Sequence, residues 1–457
     1  MRLASLLGPD LRATLESEPE AVREALEEFH PEDIAEIAND LPIEDVVALM
    51  RVLPESFGAD VLERLSNERQ LEVLTGMGFE HSVPLVGEMS PDDRVDLMQE
   101  LPEALAAEML TRLEQSEPEA FEEILELRGW DEETAGGLMT PDFAFLLPET
   151  KVWQAIDEVR RLSREGDTET IYSIYVLAYG DKLVGVVSLR DLILADPSKT
   201  LADIMTENVV RVAPTDDQEK VAHTIARYDL STVPVVDSQG VMLGVVTVDD
   251  VVDVVIEEAT EDAQLMGGVM PLEDSYLQTG FFTFIRKRAI WLIILFFGQL
   301  LTATVMEHHR ETLASSLVLV IFIPLIISSG GNSGSQSSTL LIRAMAVGEV
   351  SPRDWLRVVV REAGIGLCLG LIVGAVGFVR ALFATADHEL WLAATVGVSI
   401  VSVVTLGTLL GSLLPLGIRR VGLDPAVSST PFIASLVDVL GLLVYFAVAG
   451  LILGIAL

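Results

Sequence analysis

The apolar positions obey three different rules along this chain, and the rules change at definable points. Up to about residue 131 they recur three or four apart, with leucine dominant and proline at the breaks. That spacing predicts short amphipathic helices without strands. Pro31-Glu32-Asp33 through Asp40-Leu41-Pro42 returns sixty residues later as Pro91-Asp92-Asp93 through Glu100-Leu101-Pro102. Each copy opens a helix with proline and acids, which suit the positive end of the helix dipole, and closes it before Leu-Pro. Helix pairs repeated in this way stack into a superhelix. From residue 132 the rule changes. Glu133 through Thr140 breaks the helical period, and short β-rich runs then alternate with helical ones. Ile171–Leu177, Leu183–Val187, Val233–Val236 and Leu243–Val246 read as strands. Beyond residue 285 the apolar positions run on almost unbroken, in five stretches each long enough to cross a bilayer. These are Ala289–Met306, Leu313–Ala346 with a polar middle, Val358–Phe383, Trp391–Ile418 and Pro431–Leu457.

The expected chain is therefore multidomain. Residues 1–131 form an α-helical superhelical N-domain and 132–258 an α/β tandem domain. A connecting helix spans 259–285, and 286–457 form a five-helix α transmembrane domain.

Charge sharpens this division. The 457 residues carry a formal charge of −40. Residues 1–285 hold 19 basic and 61 acidic side chains, against 11 and 9 from Arg286 onward. A net of −42 on the soluble half repels nucleic acid and suits cations as ligands. The single cysteine, Cys368, excludes an intrachain disulfide. The opening twenty residues lack the apolar core of a signal peptide, so the soluble half is expected in the cytoplasm. The membrane half agrees. With the N-terminus inside, cytoplasmic ends carry Arg286, Lys287, Arg288, Arg343, Arg353, Arg357, Arg361, Arg419 and Arg420, and outer loops only Arg310 and Arg380. That bias follows the positive-inside rule and puts the C-terminus outside.

The acids are not evenly spread. Asp249, Asp253, Glu257 and Glu261 lie four apart, flanked by Asp250, Glu258 and Asp262. On a helix they form one face, drifting by about 40° per step. Like charges four apart cost a helix roughly 0.2–0.5 kcal/mol per pair. No basic residue lies between Arg227 and Arg286 to offset them. Divalent cations would, and Mg²⁺ and Ca²⁺ favour carboxylate oxygens. Asp93, Asp217 and Asp229 could add further carboxylates to such regulatory sites. The plainer alternative is a solvated helix face.

In the last apolar run, Asp438 is the one side chain that carries a formal charge. A carboxylate at membrane depth costs at least roughly 2.5–3.5 kcal/mol on insertion scales. No Lys or Arg in the run neutralises it, which leaves a passing cation as the simplest partner and a bond to a neighbouring helix as the alternative. The second run holds Ser328-Ser329-Gly330-Gly331-Asn332-Ser333-Gly334-Ser335-Gln336-Ser337-Ser338. Polar groups at that depth are tolerated only against protein or water. They either line a path, with Asn332 and Gln336 as neutral oxygen donors, or bind helices together. The lysine of a phosphate loop is absent. No His/Cys metal cluster or nucleophile–base constellation is visible either, so an enzyme is not expected.

Two resemblances follow from these motifs. Gly185-Val186-Val187-Ser188-Leu189-Arg190-Asp191 matches Gly244-Val245-Val246-Thr247-Val248-Asp249-Asp250, fifty-nine residues apart. This resembles a tandem pair of CBS domains, whose Ser/Thr and Asp often hold a nucleotide's phosphate or ribose. That implies Ser188, Asp191, Thr247 and Asp250 as a nucleotide site, with ATP as the ligand. The places where ATP binders carry aromatics hold Ser173 and Leu230, and the same four residues would equally serve as helix N-caps. Taken with the acidic helical N-domain, the glycine-serine run, Asp424-Pro425-Ala426, Pro431 and Asp438, the chain resembles the MgtE family of Mg²⁺ channels and transporters over nearly its whole length. The resemblance implies a homodimer in a cell membrane with the ion path on the dimer axis. It implies Asp438 as the selectivity acid, with the Ala434 carbonyl beside it, Asn332 along the path, and Thr430 and Asp424 toward the cytoplasmic mouth. It implies Mg²⁺ as both permeant and regulatory ion. A secondary transporter exchanging a divalent cation for Na⁺ or H⁺ is the alternative.

Overall fold

The computed structural model describes residues 19–26, 28–165, 170–272, 276–277, 279–310, 317–383 and 390–454. The reading of the opening stretch up to residue 18, the Leu313 start of the second apolar run and the last three residues of the final run lie outside them. The chain forms two compact units that divide between Val255 and Ile256.

Within the first unit, the described N-terminal residues form α1 (Pro19–Leu26), α2 (Pro31–Asp40), α3 (Ile43–Met50), α4 (Glu55–Glu63), α5 (Asn67–Met77), α6 (Phe79–Gly87), α7 (Pro91–Glu100), α8 (Glu103–Ser116) and α9 (Pro118–Leu127). Pro31, Pro91 and Pro118 sit in the first turn of their helices, where a missing N–H costs nothing. Leu41-Pro42 and Leu101-Pro102 end one helix and cap the next. Packing pairs α2 with α4, α3 with α5, α4 with α6, α6 with α8, and α7 with α9. Five helices thus rest on the next but one, with α5 on α6 and α8 on α9 packed as neighbours, in keeping with the stacked superhelix that the repeat implies. Arg94 is buried at its centre, 4% exposed. Its Nε donates to Val86 O at 2.9 Å, and its two Nη groups donate to Gly87 O, Met89 O and the Glu123 carboxylate. The guanidinium therefore closes the open carbonyls after α6 and ties them to α9.

The second part of this unit holds β1 (Phe143–Leu146), α10 (Val152–Glu165), β2 (Thr170–Ala178), β3 (Lys182–Ser188), α11 (Leu189–Leu194), α12 (Gln218–Tyr228), β4 (Thr232–Val236) and β5 (Met242–Thr247). β1 runs parallel to β2, β2 antiparallel to β3, and β4 antiparallel to β5. Ser173 pairs with Ser188 and Thr232 with Thr247, so both copies of the repeat place Ser/Thr at the same strand end. A core of Tyr175, Leu177, Met242 and Val245 joins the copies, and the Tyr175 hydroxyl lies 2.9 Å from Thr232 Oγ1. The expected strands are all present, and β1 is additional. Helix α13 (Val248–Met266) starts from the second repeat and carries the acidic ladder without interruption. The expected boundary at residue 258 falls inside it. Helix then stops, and residues 267–280 hold none among those described.

In the second unit lie α14 (Phe281–His308), α15 (Leu317–Ala346), α16 (Trp355–Leu382), α17 (Leu390–Arg420) and α18 (Thr430–Leu453). Four of them, α14, α16, α17 and α18, are long and apolar enough to cross a membrane. The 30-residue α15 carries the glycine-serine run and falls outside that set. The most deeply packed is α17, which rests on both α15 and α16. Glycines make this possible. A Cβ on Gly407 would overlap the Gly330 carbonyl oxygen, and one on Gly411 that of Gly334. On the other side, a Cβ on Gly370 would stand 2.9 Å from Val401 Cα. Backbones in direct contact replace side-chain interdigitation, the way helices associate where no hydrophobic force separates protein from lipid.

Gly411→Val is therefore expected to destabilise the membrane unit by about 1–3 kcal/mol through overpacking, read as a lower thermal midpoint of the detergent-solubilised protein. Gly417→Ala, where an added Cβ meets nothing within 4 Å, should leave the midpoint unchanged or slightly raised. Equal midpoints for the two variants would contradict the backbone contact.

Candidate functional site

Two groups of polar residues stand out, one in each unit. In the first unit, helix ends far apart in sequence converge on a cleft of about 540 Å³. Asp60 and Glu63 come from the last turns of α4, Asp93 from the first turn of α7, Asp142 from the approach to β1, and Asp249, Asp250 and Asp253 from the start of α13. Glu32 and Glu88 complete the acids, and Arg64 is the one basic residue among the described lining. It lies 3.8 Å from Glu32 Oε2 and 3.7 Å from Glu63 Oε2. Ser90 stands between the acids. Its backbone N–H donates to Glu63 Oε1 at 2.7 Å, and its hydroxyl lies 2.8 Å from Asp93 Oδ2 and 3.1 Å from Glu63 Oε1.

The electrostatic consequence is large. Burial, then the Asp93 charge, pushes the Glu63 carboxyl up to about 7 against the opposing Ser90 hydrogen bonds. Burial raises Asp93, with Ser90 and Arg64 opposing. Asp250 rises to about 6, through burial first and the charges of Asp249 and Asp93 after it. Carboxyls that burial keeps protonated near neutrality offer a hard cation the oxygens it prefers. Among the described residues no three His, Cys, Asp or Glu side chains close on a common metal position.

Of the expected regulatory acids, Asp93, Asp249, Asp250 and Asp253 meet in this cleft. Asp217 and Asp229 do not line it. Asp217 caps α12, accepting from Glu219 N at 2.9 Å, and Asp229 ends that helix with φ of 51°. Glu257, Glu258, Glu261 and Asp262 lie further along α13, in the second unit. There Asp262 is pushed up to about 6 by burial, then by Asp424 and Glu258, with Arg343 opposing. The end of α13 packs there through Leu265 on Ile342 and Ala426. After it, Gly268 at φ +72° sits so close to Pro431 that a Cβ would stand 3.3 Å from its ring. The cleft acids Asp60, Glu63, Glu88 and Asp142 were not expected. Nothing local marks them, since only the folded superhelix brings them to α13.

The Ser/Thr–Asp pairs close on themselves. Ser188 Oγ donates to Asp191 Oδ2 at 2.7 Å and accepts from Asp191 N, capping α11. Thr247 Oγ1 donates likewise to Asp250.

In the membrane unit the polar run divides by face. Ser333, Ser337 and Ser338 point inward, with Ser333 Oγ 2.8 Å from Thr408 Oγ1 and Ser337 Oγ donating to Glu362 at 2.8 Å. Asn332 and Gln336, four apart on the helix, are exposed on the single chain. Gly331 lies against Ala434, with 3.6 Å between the place of its missing Cβ and the Ala434 Cβ. Ser335 Oγ donates to Thr430 O at 3.4 Å. Thr430, Ala434 and Asp438 stand four apart along α18. Asp424 caps the short turn before it, accepting from Ala426 N at 2.9 Å. Asp438 is half-buried, makes no ion pair among the described residues, and accepts a hydrogen bond from Gln299 Nε2 at 2.9 Å. Gln299 and Glu362 are contacts that the sequence did not single out. A neutral amide in an apolar run carries no signal on its own, and Glu362 sits beside the basic end of its helix.

Comparison with known proteins places these features. Residues 323–448 match the family model of the MgtE divalent cation transporters, 29–133 that of the MgtE intracellular N domain, and 135–198 and 201–257 that of the CBS domain. The chain is 38% identical to the magnesium transporter MgtE of Thermus thermophilus, over 96% of this chain and 97% of that one. It is 29% identical to that of Bacillus subtilis over 93% of each. The crystal structure of the cytosolic domain of the Mg²⁺ channel MgtE in complex with ATP is similar at 38% identity and a TM-score of 0.51. That match covers 55% of this chain and all of that one. The soluble part of a magnesium transporter is similar at 34% identity and a TM-score of 0.52, over 56% and 99%. An acidic helical stack, a CBS pair and an apolar helical unit with a carboxylate in its last helix are thus joined in the family's own order, and the chain belongs to the MgtE family of divalent cation transporters.

Proposed function

We propose that this protein is a Mg²⁺-selective channel that mediates Mg²⁺ uptake across a cell membrane and is closed by Mg²⁺ binding to its acidic cytosolic domains. The observation that carries the proposal is Asp438, a carboxylate in an apolar helix whose hydrogen bond comes from a neutral amide and which has no basic partner among the described residues. A membrane protein tolerates such an acid where it meets water or a cation. The exposed Asn332 and Gln336 support the same reading, since polar side chains on a membrane helix require cover by protein or water. A homodimer supplies it. Two copies, facing across a twofold axis, put two Asp438 carboxylates and two Ala434 carbonyls around one hydrated ion. Mg²⁺ sheds water reluctantly, so few direct ligands suffice. Asn332, Thr430 and Asp424 then line the way to the cytoplasm. With α15 counted as the fifth span, the C-terminus lies outside and the membrane potential drives entry, at about 2.3 kcal/mol per charge per 100 mV.

Closure follows from the acids. At high cytosolic Mg²⁺, ions neutralise the cleft carboxyls Asp93, Asp249, Asp250 and Asp253 and the later rungs Glu257, Glu258, Glu261 and Asp262. At low Mg²⁺ the like charges repel and the pore opens. Uptake thus limits itself. ATP enters the proposal as a ligand of the CBS pair on the strength of the similar cytosolic domain solved with it.

The first test is flux through the full-length protein in liposomes with Mg²⁺ as the only permeant cation. Wild type is expected to pass Mg²⁺ down its gradient without a coupling ion, and Asp438→Ala to lose Mg²⁺ flux or selectivity. Dependence on an opposing Na⁺ or H⁺ gradient would replace the channel with an exchanger. The second test concerns closure. Asp93→Asn with Asp250→Asn should raise the cytosolic Mg²⁺ needed to halve the current, and an unchanged inhibition curve would sink the gating model. The third is a pH dependence. The raised carboxyls of Glu63, at about 7, and Asp250, at about 6, bind protons that Mg²⁺ must displace. Calorimetry in buffers of different ionisation enthalpy should therefore show proton release on Mg²⁺ binding, with weaker binding at pH 6 than at pH 8. The Mg²⁺-free fold shows the linked sign. Its folded-state carboxyls titrate above their unfolded values, so this contribution to stability grows as pH falls through about 7 and 6 toward 4. Acid-induced loss of stability across that window in wild type, absent from Glu63→Gln, would contradict it.

A further inference from the structure

The amide of Gln299 lies 2.9 Å from Asp438, and it stands near the middle of its own span. Arg288 lies eleven residues before it and Glu307 eight after, which places Gln299 about 16 Å and 12 Å from the charged ends of the apolar stretch. An uncompensated amide at that depth is costly. It is held there by a close approach of the two helices. Gly298 faces Ser435, with 3.5 Å between the place of its missing Cβ and the Ser435 Cβ. Ser435 is one turn before Asp438. Three residues beyond Gln299, Thr302 is buried at 8% exposure, and its hydroxyl has no hydrogen-bond partner. It is the one buried residue that α14 contributes among those described. The contact continues through Val305 and Met306 on the core to His309, whose ring stacks on Phe446 at 4.3 Å, and its polar element among the described residues is the Gln299–Asp438 bond.

The chemistry of that bond is directional. An ionised carboxylate only accepts, so the NH₂ end of the amide must face Asp438 and the amide oxygen must face away from it. One carboxylate oxygen, Oδ2, is then engaged, and Oδ1 stays open. The amide oxygen of Gln299 receives no hydrogen bond from the described residues. Oδ1 is an open acceptor suited to the outward-pointing hydrogens of a hydrated divalent cation, and the amide oxygen, on the far side of the Gln299 amide, is a second. A cation that readily exchanges its shell has less need of them.

We propose that Gln299 is a positioning and specificity-determining residue of the ion path. It fixes the rotamer of Asp438 through Oδ2 and presents its own amide oxygen to the water shell of the permeating ion. This rests on the reading of Asp438 as the selectivity acid. Deleting a hydrogen bond to a charged group carries an effect on the order of tenfold, here expected in selectivity rather than in fold.

The test is reversal-potential recording of the full-length channel under Mg²⁺/Ca²⁺ and Mg²⁺/Na⁺ gradients for wild type, Gln299→Leu, Gln299→Glu, Asp438→Asn and both Gln299 variants combined with Asp438→Asn. Gln299→Glu is nearly isosteric and keeps the oxygens while losing the donor, so it remains informative if Gln299→Leu fails to fold. Thermal midpoints accompany each recording. The expected result is a drop in Mg²⁺ preference of about tenfold for the Gln299 variants, with midpoints close to wild type and no further drop once Asp438 is Asn. Unchanged selectivity in Gln299→Glu overturns the proposal. So does a Gln299 effect that persists undiminished beside Asp438→Asn, since the amide would then act elsewhere. If Asp438→Asn alone leaves selectivity intact, the selectivity reading of Asp438 fails first and this inference falls with it.

Discussion

A carboxylate without a counter-charge is unstable wherever water is scarce, and this chain places such carboxylates at several separate points. In the cleft of the first unit, burial and mutual repulsion hold Glu63 and Asp250 partly protonated near neutrality. Near the end of α13 the same happens to Asp262 beside Asp424. In α18, Asp438 rests on one neutral amide. Arg64 beside Glu63 and Arg343 near Asp262 offset these tensions only in part. Where a cation is truly structural the chain does provide it: Arg94 is buried, answered by carbonyls and by Glu123. The contrast is between a buried charge that the fold answers fully and carboxyls that it answers only in part.

Much of this was legible before any coordinates. Leucine spacing and the Pro-acid repeat located the superhelix, and the doubled Gly-Val-Val-Ser/Thr motif located both strand pairs. What escaped was convergence. Asp60, Glu63 and Asp142 acquire meaning only when helices stacked at long range bring them to Asp249, Asp250 and Asp253. Local pattern carries no such information. Boundaries slipped for a related reason. The acids of the ladder invite a break, but α13 keeps its helix from Val248 to Met266, because Val251, Val254 and Leu265 stay buried at helical spacing between the charges. At the next boundary Phe281–Ile285 extends the first membrane helix earlier than hydropathy alone suggests.

The polar run of α15 divides by face. Its glycines and inward serines hold α17, while Asn332 and Gln336 point outward from the same helix. The sequence offered packing and path-lining as rival explanations. On a helix they occupy different faces and need not compete.

The crossing of α15 with α17 also has a mechanical meaning. Gly330 with Gly407 and Gly334 with Gly411 meet main chain to main chain, and no side chain lies between them to change rotamer and absorb a displacement. Close-packed matter of this kind switches between discrete arrangements or stays put. The pair is best regarded as the frame of the membrane unit. Compliance belongs instead to α14, which buries only Thr302 among its described residues and meets the rest through side chains such as Gln299, Val305 and Met306. If the pore has a moving wall, the stiff glycine seam is the jamb and α14 the leaf.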